Sequence, residues 1–367
     1  MRLALRELFR RPGRFSVVGG ALTLLVLLLL FLGGLLDGLF LGSTGAIRAN
    51  EGDAVVFSDD ARESFLRSSI DAQLEDEIRN VEGVAEVSGI GFTLLGVEIP
   101  GESEIADGAI AGYEIASDVL PDPPAPGEAY ADDRLESLGA EVGDTLLVGP
   151  AQTPVEIIGW VSDTNYLGQN GIWVEPGTWR AIQNENRPDA VVADGEFQVV
   201  FVRAADGVDA AELRERIDAA TGRTVSLSED EAVQAIPGVP EQNSTFTAVI
   251  YVTLFVVGLV VALFFALLTL ERVGLYAVLK AVGAKNRTLV IGLIVQAVVV
   301  ALGAFAIGAF LTFLLAQAIP PQVPVQFELG RALFILIAVA ITAILGGLVS
   351  LRRIIRVDPA SAIGTGV

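Results

Sequence analysis

The sequence predicts a membrane protein with four transmembrane α-helices and a large extracytoplasmic α/β (α+β) domain inserted between helices 1 and 2. Four apolar runs are each long enough to cross the roughly 30 Å hydrocarbon core of a bilayer. The polar region between the first two runs alternates strand-like and helix-like patterns, which indicates a folded domain. Arginine and lysine concentrate at the N-terminus, between the second and third runs and in the tail, which predicts the orientation.

In chain order we predict a cytoplasmic amphipathic N-terminal helix, the first span, the outer domain, the second span, a cytoplasmic loop helix, the third span, a short outer loop, the fourth span and a cytoplasmic tail. Their residues are 1–14, 15–42, 43–243, 244–270, 271–288, 289–319, 320–331, 332–351 and 352–367. The first span exceeds the bilayer thickness, so we expect its outer end to continue beyond the membrane. The protein is therefore predicted in the cell membrane, with both termini in the cytoplasm and the large domain outside.

Charge divides the chain into two opposite regions. Residues 43–243 hold 40 acids, 11 arginines and no lysine, a net charge of −29, whereas the remainder carries +8. Phosphate contacts need a basic surface, so this domain is not expected to bind nucleic acid. The scattered acids fit either a cation-binding surface or, as we favour, the hydrated carboxylate surface of a protein from a halophilic organism. The absence of histidine and cysteine excludes ordinary zinc sites and Ser-His-Asp catalysis.

Patterns within the outer domain predict an α/β or α+β fold with two lobes. We expect helices at 69–81, 132–138 and 210–220, a strand at 84–90 with 92–99 as its hairpin partner, and further strands at 145–148, 155–161, 197–203 and 224–227. The proline-rich segment 120–127 is a loop between subdomains. The carboxylate pairs Asp59–Asp60 and Asp132–Asp133 are interpreted as solvated surface, because adjacent side chains point in different directions.

Few polar groups lie inside the predicted spans. Asp37 is expected near the outer interface, and Gln296 is expected to hydrogen-bond between helices rather than to bind a ligand. Several glycines are predicted to let helices approach closely, at Gly292, Gly303, Gly308, Gly346 and Gly347. The chain has no G-x-x-x-x-G-K-[ST] motif, so it is not expected to bind nucleotide through a P-loop or to be an enzyme.

The cytoplasmic loop helix is the strongest functional candidate. Its apolar face holds Leu275, Val278, Leu279 and Val282, its charged residues include Glu271, Arg272 and Lys280, and Gly283 suits a helix end. The pattern alone fits two interpretations. One is an ordinary loop whose apolar face rests on lipid headgroups, and the other is a helix that docks a partner protein.

The order of parts and four motifs resemble the FtsX-like/MacB-type permeases of ABC transporters. The motifs are residues 278–284 (VLKAVGA) after the second span, the tail 357–362 (VDPASA) with its D-P-x-x-A pattern, the outer-domain segment 127–161, and the helix–turn–strand entry 81–87. The chain departs from the family at Tyr276, where members often carry an acid. Members of the DevC-like branch often carry an aromatic residue near this position, so the tyrosine resembles that branch.

The resemblance implies a permease that binds no cofactor or metal itself and works with a separate ABC ATP-binding subunit, which holds ATP and Mg²⁺. It also implies a second permease chain, as a homo- or heterodimer, and mechanotransmission that exports or extracts a substrate. The resemblance assigns ATPase coupling to Glu271, Arg272, Leu275, Tyr276, Val278, Leu279, Lys280, Gly283 and Ala284, and an N-terminal ATPase contact to Arg6, Arg10 and Arg11. Alternatives are a non-transporting scaffold or regulator of an extracellular hydrolase or lipoprotein, and a sensor without an ATPase.

Overall fold

The computed structural model of the chain describes residues 12–271, 278, 282, 286–320 and 323–349. The chain divides into two compact units, which are considered separately below. The first, called the membrane unit, comprises Met1–Gly38 and Ser244–Val367. The second, called the outer domain, comprises Leu39–Asn243.

The regular elements follow in chain order. The helices are α1 (Pro12–Arg48), α2 (Ala72–Arg79), α3 (Pro176–Asn186), α4 (Ala210–Thr221), α5 (Glu229–Ala235), α6 (Val239–Glu271), α7 (Asn286–Ala316) and α8 (Leu329–Val349). The strands are β1 (Ala54–Ser58), β2 (Val84–Glu98), β3 (Ile105–Tyr113), β4 (Glu128–Asp132), β5 (Thr145–Val148), β6 (Thr153–Val161), β7 (Asn170–Val174), β8 (Val199–Ala204) and β9 (Thr224–Leu227).

Four of these helices, α1, α6, α7 and α8, are long and apolar enough to cross a membrane. This confirms the predicted four-span class. Helix α1 includes Pro12 in its first turn, where a proline is tolerated because the amide would have no partner in the helix. It continues for 37 residues to Arg48, about 55 Å at the usual rise per residue. Its residues from Leu39 onward belong to the outer domain.

The core of the membrane unit is built by apolar side chains from all four long helices. Burial recurs at helical spacing, so one stripe of each helix faces the others while the rest is exposed. Representative core residues are Leu22, Val26 and Leu29 of α1, Val257 and Val261 of α6, Ala297 and Ala301 of α7, and Val339 and Ala343 of α8.

The outer domain is organised by a nine-stranded sheet in the order β3-β7-β4-β6-β5-β2-β8-β1-β9, and an additional β3–β2 pairing closes part of it. Strands β2 to β7 therefore form a closed ring of six strands, which we call the ring lobe. Strand β2 is long enough to serve both parts of the sheet, since its first half pairs with β8 and its last residues pair with β5. Strands β8, β1 and β9 extend from the ring as the second lobe, which we call the arm.

The two faces of the arm bury alternate residues, as expected for a sheet covered on both sides. Ala54, Val56 and Val200 lie in the core beneath α2 and α4. Val55 and Phe57 face the opposite core, which contains the outer turns of α1 and helix α5. Aspartates cap the N-termini of α2 and α4 through Asp71 and Asp209, so part of the acidic composition serves local structure.

The structure corrects two predictions in the outer domain. The proposed hairpin of 84–90 with 92–99 is wrong, because both segments belong to the continuous strand β2, and its hairpin partner is β3. Gly91 lies inside this strand and not at a turn. A glycine is needed there because a Cβ would stand 2.0 Å from the indole of Trp179. The interpretation of Asp132 as solvated is also wrong, because its side chain is fully buried.

Other predictions agree closely with the structure. Thr145–Val148 and Thr224–Leu227 are strands, and the predicted helix at 210–220 is α4. The predicted helix at 132–138 is a 3-10 turn at Asp133–Leu138, with Asp132 accepting a hydrogen bond at its start. The proline-rich segment 120–127 contains no helix or strand.

Candidate functional site

The structure describes only part of the predicted coupling segment. Glu271 is the exposed last residue of α6. Val278 and Val282 are 52% and 83% exposed, and the amide of Val282 donates to the carbonyl of Val278 at 3.0 Å, the spacing of a helical hydrogen bond. The remaining predicted residues lie outside the described part of the chain. They are Arg272, Leu275, Tyr276, Leu279, Lys280, Gly283 and Ala284 in the loop, and Arg6, Arg10 and Arg11 at the N-terminus.

The two described valines form an exposed apolar surface. Residues four apart on a helix lie on the same face, so Val278 and Val282 together present an exposed apolar patch. Burying such side chains against a partner contributes about 1.5 to 3 kcal/mol each. This patch is suited to binding an apolar groove rather than to chemistry.

Within the described part of the chain, the buried core of the membrane unit is mostly apolar. Three buried threonines of the spans donate their hydroxyls to carbonyls of their own helices: Thr253 to Val249 at 2.8 Å, Thr269 to Phe265 at 2.7 Å and Thr312 to Gly308 at 2.8 Å. Gln296 is buried in α7, and its expected hydrogen bond between helices stays a prediction. Among the described residues, no group of three or more His, Cys, Asp or Glu side chains is placed to hold a metal ion.

The outer end of α1 within the membrane unit contacts the first turn of α8 and the segment before it. Asp37 is 5% exposed and forms an ion pair with Arg331, whose Nε donates to Asp37 Oδ1. Close by, the amide of Gln326 donates to the carbonyl of Gly34 at 3.0 Å. A Cβ at Gly38 would stand only 2.1 Å from the carbonyl oxygen of Pro324. The sequence predicts Asp37 near the interface but carries no signal for its partner Arg331, which is 294 residues away.

The span glycines differ in what surrounds them. A Cβ at Gly308 would meet Val26 at 2.8 Å, and one at Gly346 would meet the carbonyl oxygen of Gly258 at 2.7 Å, so both allow close helix approach as predicted. At Gly292 and Gly303 no described heavy atom lies within 4 Å of the Cβ position, so the prediction is wrong there. The side-chain position of Gly347 lies outside the described structure.

Comparison with known proteins adds the following relationships. Residues 247–359, which include most of α6, the loop, α7 and α8, match the family described as FtsX-like permease C-terminal. A candidate hemin transport system permease protein, HrtB, of Staphylococcus epidermidis is 20% identical over 368 residues, covering 100% of both chains. An uncharacterised ABC transporter permease of Mycobacterium tuberculosis is 39% identical over 119 residues, which is 32% of this chain and 33% of that protein.

Solved structures similar to the outer domain were also found. The periplasmic region of MacB from Actinobacillus actinomycetemcomitans has a TM-score of 0.36 at 12% identity, covering 50% of this chain and 92% of that one. The extracellular domain of the transporter YknZ from Gram-positive bacteria has a TM-score of 0.34 at 12% identity, covering 47% and 98%.

The four candidate spans and the large domain inserted between the first and second of them agree with the permease names of the relatives. The relatives are permease subunits, and an ABC permease requires an ATP-binding partner subunit. This chain is a multi-pass membrane protein with a large outside domain, its residues 247–359 match the FtsX-like permease C-terminal family, and it is similar to ABC transporter permeases.

Proposed function

We propose that this permease couples ATP hydrolysis by a separate ATPase subunit to movement of its own outer domain, for export or extraction of a substrate. The observation that carries the proposal is α1, a single helix of 37 residues that begins in the membrane unit and ends in the outer domain. A helix whose backbone hydrogen bonds are continuous is stiff along its axis, so displacement of one end moves the other.

The composition of the membrane unit favours transmission of movement over passage of a polar substrate between the spans. The buried threonines named above use their hydroxyls within their own helices, and the buried core is otherwise mostly apolar. A polar pathway would require side chains that offer donors or acceptors to the substrate.

The loop at 271–288 is the proposed contact with the ATPase. Support comes from the exposed valines on one turn, together with the lysine and arginine residues around them. We assign coupling to the loop residues named from the family resemblance, and a second contact to Arg6, Arg10 and Arg11. ATP and Mg²⁺ would be held by the partner, and a second permease chain would complete the assembly.

The substrate stays unassigned. The relative that aligns over its full length is named for hemin transport, but it is only 20% identical to this chain, so its substrate is not carried over. This chain has no histidine or cysteine and one methionine, which removes the side chains that most often ligate haem iron.

The proposal is tested by recovering the tagged full chain from its host in mild detergent and measuring the amount of co-purified ATP-binding subunit. We expect near-equal amounts with the natural chain. The double variant Val278→Asp with Val282→Asp should reduce ATPase recovery about tenfold or more, because it places two charges in an apolar contact.

The matched control is Val142→Asp with Val191→Asp, which changes two valines of the outer domain that are also exposed, at 54% and 64%. Unchanged ATPase recovery in the loop variant would contradict docking at this turn. Recovery of the natural chain alone, or only with extracellular proteins, would instead favour the scaffold or sensor.

A further inference from the structure

The outer turns of α1 exchange main-chain hydrogen bonds with the loop between β6 and β7, residues 162–169. The amide of Ala46 donates to a carbonyl outside the helix, that of Asn165, at 2.9 Å. In return, the loop amides of Leu167 and Gly168 donate to the carbonyls of Ser43 and Gly42, at 3.1 and 2.9 Å. Both partners lie within the outer domain. Loop groups that insert into a helix in this way fix its position without any side-chain freedom.

Gly45 makes this close approach of two backbones feasible. A Cβ at position 45 would stand 2.2 Å from the carbonyl oxygen of Asp163 and 2.8 Å from its carbonyl carbon. Because the obstacle is backbone, it cannot rotate away. Gly42, one turn earlier, differs: the three atoms nearest to a Cβ there all belong to the guanidinium of Arg134, with Nη1 nearest at 2.9 Å, and this side-chain end can move.

The loop is in turn tied to the ring lobe by Asp132 at the end of β4. Oδ2 of this fully buried carboxylate accepts hydrogen bonds from the amide and the hydroxyl of Thr164, both at 2.9 Å. Oδ1 accepts from the amide of Arg134 at 3.2 Å. Three hydrogen bonds from two residues therefore fix the position of this buried side chain. Strand β4 pairs with both β6 and β7, so the loop and its flanking strands are held at one point.

Tyr166 of the same loop adds an aromatic anchor. Its ring stacks on Phe92 of β2 with centroids 4.8 Å apart and planes 17° apart. Burial raises the pKa of Tyr166, so the hydroxyl stays neutral at physiological pH.

The second helix that crosses between the units is α6, and its first residue, Val239, is buried in the outer-domain core. The amides of Val239 and Gln242 donate to carbonyls close by in the chain, those of Ile236 and Gly238.

We propose that the contact of α1 residues 42–46 with the β6–β7 loop is the joint through which the outer domain receives movement of the first span. Gly45, Thr164 and Asp132 act as positioning residues of this joint. The inference rests on the proposed function, since it specifies where the transmitted movement enters the outer domain.

The test measures movement of the outer domain in the full permease–ATPase complex. The chain has no cysteine, so spin labels can be placed on Val142→Cys in the turn before β5 and on Leu345→Cys of α8, both exposed positions. The distance between the labels is measured with and without a trapped ATP analogue. We expect a nucleotide-dependent shift with the natural joint and with Gly42→Ala, and loss of at least half of that shift with Gly45→Ala, while ATPase binding is retained.

A full shift with Gly45→Ala would overturn the joint but leave the proposed function intact. Absence of any shift in the natural complex would instead contradict the proposed function. If Gly45→Ala fails to fold, Thr164→Val and Thr164→Ser decide the question. The valine variant loses the hydroxyl bond to Asp132 and should reduce the shift, whereas the serine variant should restore it. Equal shifts in these two variants would overturn the joint.

Discussion

Two stretches of the same helix use glycine in opposite ways. Near the inner end of α1, a Cβ at Gly19 or Gly20 would meet no described heavy atom within 4 Å. Towards the outer end, a Cβ at Gly38 would collide with the backbone of Pro324 in the membrane unit, and one at Gly45 with the backbone of Asp163 in the outer domain. The outer stretch is therefore fixed by backbone contacts in each unit, and the inner stretch has room around these two positions.

The largest expected effect comes from removing the ion pair of the outer stretch. Arg331→Ala leaves Asp37 buried without its counter-charge, and we expect a loss of about 3 kcal/mol of stability. Asp37→Ala should cost less, about 1 kcal/mol, because the Arg331 side chain is 31% exposed and can reach water.

The measurement is thermal unfolding of the full chain in detergent for both single variants and the double variant. We expect the double variant to resemble Asp37→Ala, since it leaves no unpaired carboxylate. Equal losses in the two single variants would show that the two charges are equally solvated.

A smaller effect is expected from a side chain at the contact with Pro324. Gly38→Val should lower the stability of the membrane unit by about 1 to 3 kcal/mol, the usual cost of overpacking. The control is Gly20→Val in the same helix, which makes the same chemical change where a Cβ meets open space. Identical unfolding temperatures for the two variants would show that the contact with Pro324 does not require glycine at position 38.

The smallest effects on stability are expected from alanine at Gly42 and at Gly20. Gly42→Ala is expected to change stability by less than about 1 kcal/mol, because the gain in helix propensity offsets the displacement of Arg134. Gly20→Ala should be neutral or slightly stabilising for the same reason of propensity. Amide hydrogen exchange of residues 162–169 provides the check, since only a disturbed joint should accelerate exchange there. Faster exchange in Gly42→Ala would show that the whole stretch, and not Gly45 alone, needs glycine.

Local patterns were sufficient for the spans and for several outer-domain elements. Hydropathy located the four long helices, and alternation located Thr145–Val148 and Thr224–Leu227. Asp132 shows where local reasoning stopped. Its burial depends on Thr164, 32 residues away, and no pattern near Asp132 reports that partner.

The sequence predicts the coupling residues of the loop but not the contact of α1 with the β6–β7 loop. The coupling residues of the loop follow from the family resemblance and stay a prediction, and the three that the structure describes, Glu271, Val278 and Val282, are exposed. The joint was missed because its main-chain bonds leave no mark in side-chain composition. The one available signal was the pair Gly42 and Gly45, three residues apart at the end of an apolar helix.

The closed ring of β2 to β7 has a consequence for how copies of this protein can associate. Around the closed ring each strand has a partner on both sides, so the ring itself offers no open edge to which a strand of another molecule could pair. The sheet has two short free edges, at β9, which is four residues long, and along residues 84–89 of β2, which pair only with β8. Short edges discourage strand addition and fibre formation. A neighbour that binds the ring lobe must therefore recognise side chains on an acidic surface rather than extend the sheet.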